Sequence, residues 1–176
     1  REALKKTAVI SEKDVSFIYL QTIPAILTAV INGNTAAGTL SAPNTLKARD
    51  AGLSLLIDIA QVNVPGFHLA YGTTEKTIKA YPNSLYAFLK AAAEATVLAK
   101  QSPSLAKKAI AKYTDTEDAK IIDGTYEQFS PYWDAALAAH SEPIQGQLSY
   151  LDEKDFPRAK DARPADFIDN SFADLL

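Results

Sequence analysis

Leu53-Ser54-Leu55-Leu56-Ile57-Asp58-Ile59-Ala60 is an almost unbroken apolar run of eight residues. Such a run is what a strand covered on both faces requires, the kind found inside a parallel sheet. The residues upstream fit that reading. Gly52 ends a helix predicted over 43–51 (PNTLKARDA), which follows a small-residue stretch at 35–41 (TAAGTLS) of the sort tolerated as a closely packed central strand. Before it, residues 24–34 place Ile26, Leu27, Val30 and Ile31 at helical spacing, with Pro24 suited to a first turn and Gly33 to a C-terminal cap. Residues 15–20 (VSFIYL) alternate, with Val15, Phe17 and Tyr19 on one face, and read as a strand. Downstream, Val64-Pro65-Gly66 turns the chain into a further strand candidate at 67–73. Strand, helix, strand, helix, strand, strand is the signature of an α/β fold with a mainly parallel sheet.

Beyond Thr73 the pattern becomes helical. Short helices are predicted at 75–80 and 105–113, and a long one at 84–101, where Leu85, Phe88, Leu89, Ala92, Thr96 and Ala99 form a stripe opposite Lys90, Glu94 and Lys100. Thr114-Asp115-Thr116-Glu117 has the spacing of a capping box and opens a helix predicted over 118–129. Pro131, Pro143, Pro157 and Pro164 divide the remainder into short helices, the last at 169–176.

The chain has 176 residues, 47% of them apolar and 22% charged, with a net charge of -3. At roughly 150 residues per domain this is one domain or two small lobes. The charge offers no long-range attraction to nucleic acid or anionic lipid, so no nucleic-acid partner is expected. Cysteine is absent, which excludes disulfides, thiolate metal sites and thiol catalysis. No apolar run approaches the roughly 18 residues of a membrane span. Methionine is absent even at position 1, so the chain is expected to be processed or excised from something longer.

Motifs of chemistry are scarce. His68 and His140 lie outside metal-ligand spacings, and no nucleophile elbow, phosphate loop or dinucleotide fingerprint occurs. No catalytic residue, metal or cofactor is therefore expected. The acidic groups Glu12 with Asp14, Glu117 with Asp118, and Asp152 with Glu153 and Asp155 read as solvated charge near helix ends. Tyr126, Phe129, Tyr132 and Trp133 read as core, although they could stack a ligand. More informative are the junctions where predicted strands lead into helices, since ligands of open parallel sheets lie beyond the strands' carboxyl ends. Gln21 and Thr22 leave the first strand, and Ser41 and Asn44 the second. These four are the candidate ligand-binding residues, neutral hydrogen-bonding groups suited to a small polar or anionic molecule. The competing reading is that Thr22 and Ser41 merely cap their helices.

The order of the segments resembles a known family. Asp14-Val15, Ala25 to Gly33 (AILTAVING), Leu40-Ser41-Ala42-Pro43 before Lys47-Ala48, and Gly52-Leu53 before Leu56 to Ala60 carry the likeness. So do Tyr86 to Ala91, Ala111 to Thr114, Thr125-Tyr126-Glu127, Gln145 and the closing Asp166-Phe167-Ile168-Asp169-Asn170-Ser171-Phe172. Together they resemble the substrate-binding proteins of bacterial ABC importers for nitrate, sulfonates, taurine and thiamine-precursor pyrimidines, which have the type II periplasmic-binding fold. The family's usual Gly-x-Val-Asp-Ala-Ala is departed from at Gly33-Asn34-Thr35-Ala36-Ala37, which lacks the acidic residue.

The resemblance implies a chain that starts inside lobe two and lacks the amino-terminal part of lobe one. Residues 1–70 are then most of lobe two and 71–176 the returning helical part of lobe one. It implies a solute-binding component, not an enzyme, located in the periplasm or tethered outside the cell. Its partners would be a small-molecule ligand and the importer's permease. The helical stripes evolved to cover a sheet, so the missing amino-terminal segment or a second copy of the chain is expected to complete the fold. Alternatives are a truncated fragment or oligomer without independent binding, an effector-sensing domain of a transcription regulator, which lacks its preceding helix-turn-helix here, and a pyrimidine synthase, which lacks its cysteine motif.

Overall fold

A computed structural model describes residues 2–7, 14–62, 64–67, 69–151 and 154–176. Their elements are eight α-helices and several single turns of 3-10 helix. The helices are α1 (Glu2–Thr7), α2 (Ile23–Ile31), α3 (Asn44–Asp50), α4 (Glu75–Ala80), α5 (Pro82–Gln101), α6 (Pro103–Thr114), α7 (Ala119–Phe129) and α8 (Ser141–Ser149).

The expected α/β fold with a mainly parallel sheet, of the type II periplasmic-binding kind, is overturned: among the described residues there is no strand and no sheet. Residues 15–20, 37–41, 53–58 and 69–74 run without helix, turn or bend, yet none joins a ladder. The reason lies in what such sequences specify. β-branched and apolar residues favour straight backbone locally, but a strand also needs a neighbour about 4.8 Å away to take its N–H and C=O groups. The predicted strand at 35–41 loses its first residues to α2, because the Asn34 and Thr35 N–H groups donate to the Ala29 carbonyl at 2.9 and 3.3 Å. Gly33, at φ +71°, makes that turn possible. At the far end of the apolar run, Asp58 accepts from the Ala60 N–H (3.1 Å) and starts the turn Ile59–Gln61. His68, within the predicted strand at 67–73, lies outside the described residues.

Helix α1 (Glu2–Thr7) has no counterpart in the sequence reading, and the later helices follow it closely with two exceptions. The capping-box spacing at Thr114 does not open α7. Asp115 is left-handed (φ 49°) and closes α6, and the Asp118 carboxylate caps α7 by accepting from the Lys120 and Ile121 N–H groups at 2.9 and 3.3 Å. The helix predicted at 169–176 shrinks to the single turn Ala173–Leu175. There the Asp169 carboxylate accepts both the Ser171 N–H (3.0 Å) and its hydroxyl (2.5 Å), a local bond that competes with helix.

The chain divides into two compact units, neither a single stretch. One takes Lys13–Ile57 and Thr96–Trp133. In it α2 packs on α3, and α7 packs on both α3 and α6. Its buried residues are Leu27, Ala48, Ala106, Ile121 and Thr125, the Thr125 hydroxyl donating to the Ile121 carbonyl at 2.7 Å. A Cβ on Gly124 of α7 would stand 2.9 Å from a Leu46 methyl of α3. Tyr126 meets Trp133 edge to face at 5.5 Å, with Lys107 over its ring. Lys107 also pairs with Asp123 at 2.9 Å, and Lys120 with Asp50 at 2.5 Å.

The other unit takes Arg1–Glu12, Asp58–Ala95 and Asp134–Leu176. Here α8 packs against the turns Ala159–Asp161 and Pro164–Phe167. Gly146 of α8 is buried, and a Cβ on it would lie 2.5 Å from the Pro65 carbonyl oxygen. Tyr71 and Phe88 meet edge to face at 5.2 Å. The α5 stripe is only half covered: Leu85 and Leu89 are part-buried, Phe88 is exposed, and no residue of α5 is fully buried.

Candidate functional site

Gln21, Thr22, Ser41 and Asn44 all fall in the unit built from Lys13–Ile57 and Thr96–Trp133, at the starts of the two mutually packed helices α2 and α3. Thr22 is the N-cap of α2. Its backbone is extended and its hydroxyl accepts from the Ala25 N–H at 3.3 Å, which is the capping role weighed against ligand contact. Gln21 precedes it and is exposed.

Ser41 behaves differently from Thr22. Its carbonyl, not its hydroxyl, opens α3, accepting from the Asn44 and Thr45 N–H groups at 2.9 and 3.3 Å. Pro43 occupies the cap position and supplies no side-chain bond. The side chains of Gln21, Ser41 and Asn44 hold no hydrogen bond to any described residue, while Ser41 and Asn44 are part-buried. Each amide offers two donors and an acceptor, and the hydroxyl offers both functions.

The backbone contributes little at either helix start. In α2 the Pro24 nitrogen has no hydrogen, Ala25 is capped, and the Ile26 N–H donates to the Thr22 carbonyl (3.1 Å). In α3 the N–H groups of Asn44, Thr45 and Leu46 are all engaged with carbonyls of Ser41 and Pro43. An anion held by a ring of unpaired N–H groups is therefore not what this geometry offers. Recognition here falls to neutral side chains.

Among the described residues no three His, Asp or Glu side chains gather where they could hold a metal. His140 is exposed at the start of α8. His68, Glu12, Asp152 and Glu153 lie outside the described residues. Asp118, one of the acidic pairs, is a helix cap. In the aromatic cluster Tyr126 and Trp133 pack together, the Tyr126 hydroxyl reaching the Ala99 carbonyl (3.5 Å), whereas Tyr132 is exposed.

Sequence reasoning missed the long-range polar ties. Thr45 donates to Gln128 Oε1 at 3.2 Å, fixing α3 to α7, and Lys100 Nζ donates to the Trp133 carbonyl at 2.8 Å. Arg163 holds Asp166 through two guanidinium bonds of 3.2 and 2.7 Å. Of these only the Arg163 pair, three residues apart and bracketing Pro164, leaves a local signal in the sequence. Comparison of the chain with protein-family models, with curated proteins and with solved structures finds no match to any of them.

Proposed function

We propose that the chain acts as a solute-binding component of an ABC importer, holding a small polar or anionic molecule through neutral hydrogen-bonding side chains and performing no chemistry on it. The observation that carries this is the trio Gln21, Ser41 and Asn44, whose amide and hydroxyl groups lack partners among the described residues at the starts of two packed helices. The order of the sequence stretches set out above supports it. A periplasmic location and docking on the importer's permease belong to the same proposal.

The experiment is a thermal-shift titration with taurine, nitrate and an aminopyrimidine on the wild-type chain and on Asn44→Ala. One of these should raise the wild-type melting temperature by mass action, with the shift lost in Asn44→Ala. Melting unmoved by all three at millimolar concentration would sink the proposal.

A second reading is a subunit of an assembly with no binding of its own. It is favoured by the large apolar side chains left in solvent, Leu55, Leu56 and Leu69 among them.

A further inference from the structure

Helix α2 is closed by Asn32-Gly33, the one Asn-Gly pair in the sequence. Gly33 sits at φ +71°, the left-handed position that ends a helix, and a Cβ built on it would meet nothing within 4 Å. The need for glycine here is conformational, but it has a chemical side effect. A residue without a side chain leaves its backbone nitrogen open to the carboxamide of the residue before it.

The other asparagines are less openly placed. Asn34 and Asn44 precede threonines, whose branched side chains crowd the following nitrogen. Asn83 lies in the first turn of α5, and the Asn170 carboxamide is held on both sides by Ala139. Asn63 lies outside the described residues. Asn32 is exposed, and its carboxamide holds no hydrogen bond to a described residue.

We infer that Asn32 is a modification site, converted without an enzyme to aspartate and isoaspartate at a rate set by the end of α2. The Gly33 nitrogen bonds to the Asn32 side-chain carbonyl carbon, the bond from that carbon to Nδ2 breaks, and ammonia leaves with the Gly33 proton. Water then opens the five-membered imide at either carbonyl. One opening gives aspartate, the other an isoaspartate whose main chain runs through the former side chain.

The folded backbone holds this reaction back. Ring closure needs the Gly33 nitrogen and Asn32 Cγ on the same side of the Asn32 Cα–C bond, whereas ψ 0° at Asn32 keeps them apart. The Gly33 N–H donates to the Val30 carbonyl and the Asn32 N–H to the Thr28 carbonyl, both at 3.0 Å. On the far side the Asn34 N–H is fixed to the Ala29 carbonyl at 2.9 Å. Conversion therefore waits on local opening of this turn. Its product then weakens the turn, because a carboxylate at a helix C-terminus opposes the macrodipole and the added main-chain methylene of isoaspartate carries the Asn34 N–H out of register with Ala29.

The test is peptide mapping by mass spectrometry of the full chain held at mildly alkaline pH in buffer and in urea, with isoaspartate read by its separate elution. Residue 32 should convert before any other asparagine in both. Conversion in buffer should run at least about tenfold slower than in urea, equivalent to an opening cost of about 1.4 kcal/mol. Asn34→Pro removes the N–H that donates to Ala29 and leaves the Asn-Gly pair intact. It should speed conversion in buffer and leave the urea rate little changed, with helical circular dichroism as the check on folding. An Asn32 that stays intact in urea while another asparagine converts would overturn the site, and equal wild-type rates in buffer and urea would overturn its control by α2.

Discussion

Asn170 grips the backbone of Ala139 in both directions, its Oδ1 accepting from the Ala139 N–H at 2.9 Å and its Nδ2 donating to the Ala139 carbonyl at 3.0 Å. A carboxamide presents one acceptor and one donor side by side, as a backbone segment does. Residue 170 thereby stands in for a short stretch of paired chain and ties the closing segment to the approach to α8.

Asn170→Ala removes both bonds and should lower stability by about 1 kcal/mol. Asn170→Asp keeps the accepted bond but sets a carboxylate oxygen against the Ala139 carbonyl, so at neutral pH it should cost more than the alanine change. The gap should close on acidification, when the protonated carboxyl can donate again. Urea midpoints of the three proteins at pH 7 and pH 3.5, with hydrogen exchange of the Ala139 amide, decide this.

Gly146→Ala should destabilise by about 1–3 kcal/mol. The new methyl meets the Pro65 carbonyl oxygen at 2.5 Å, and Pro65 Cβ at 2.6 Å closes the alternative. Gly124→Ala offers the control. Its Cβ would meet Leu46 methyl groups at 2.9 and 3.2 Å, which can rotate away, and the helix gains about 1 kcal/mol from replacing glycine. Thermal melts should therefore show a loss at 146 and little change at 124.

Asp166 and Asp169 both titrate below the usual aspartate value of 3.8, Asp166 chiefly through its hydrogen bonds from the Arg163 side chain and Asp169 through those from Ser171. A carboxylate lowered in the folded state contributes stability that is present above its unfolded value and lost as pH falls through the folded one. The closing segment should thus hold at pH 5 and loosen only below about pH 4. In Asp166→Asn that acid step should shrink, as read by hydrogen exchange over residues 159–175 against pH. A step of unchanged size would show that Arg163 and Asp166 do not act together in solution.

Helix positions were legible because their signals are local. Pro24 and Gly33 bracket α2, Gly52 follows α3, and Glu75–Ala80 lies where its spacing placed it. Asp118 displaced the capping box because a short carboxylate one residue before the helix reaches two N–H groups at once. The sheet was misread for a different reason. Leu53 to Ile57 carries a real preference for straight backbone, but pairing depends on a partner that no local pattern encodes. At the candidate site Thr22 proved to be a cap, while Ser41 could not be distinguished from one in advance. The difference turns on whether its carbonyl or its hydroxyl meets the Asn44 N–H.

Of the four apolar residues buried among the described ones, two, Ala48 and Ala106, are alanines. So small an interior has a calorimetric consequence. The heat-capacity change of unfolding scales with apolar surface newly exposed, about 12–15 cal/mol/K per residue in well-packed domains. This chain, with Leu56, Leu69, Tyr113 and other large apolar side chains already in water, should fall short of that. Its enthalpy of unfolding would vary little with temperature and its melting would spread over a wide interval.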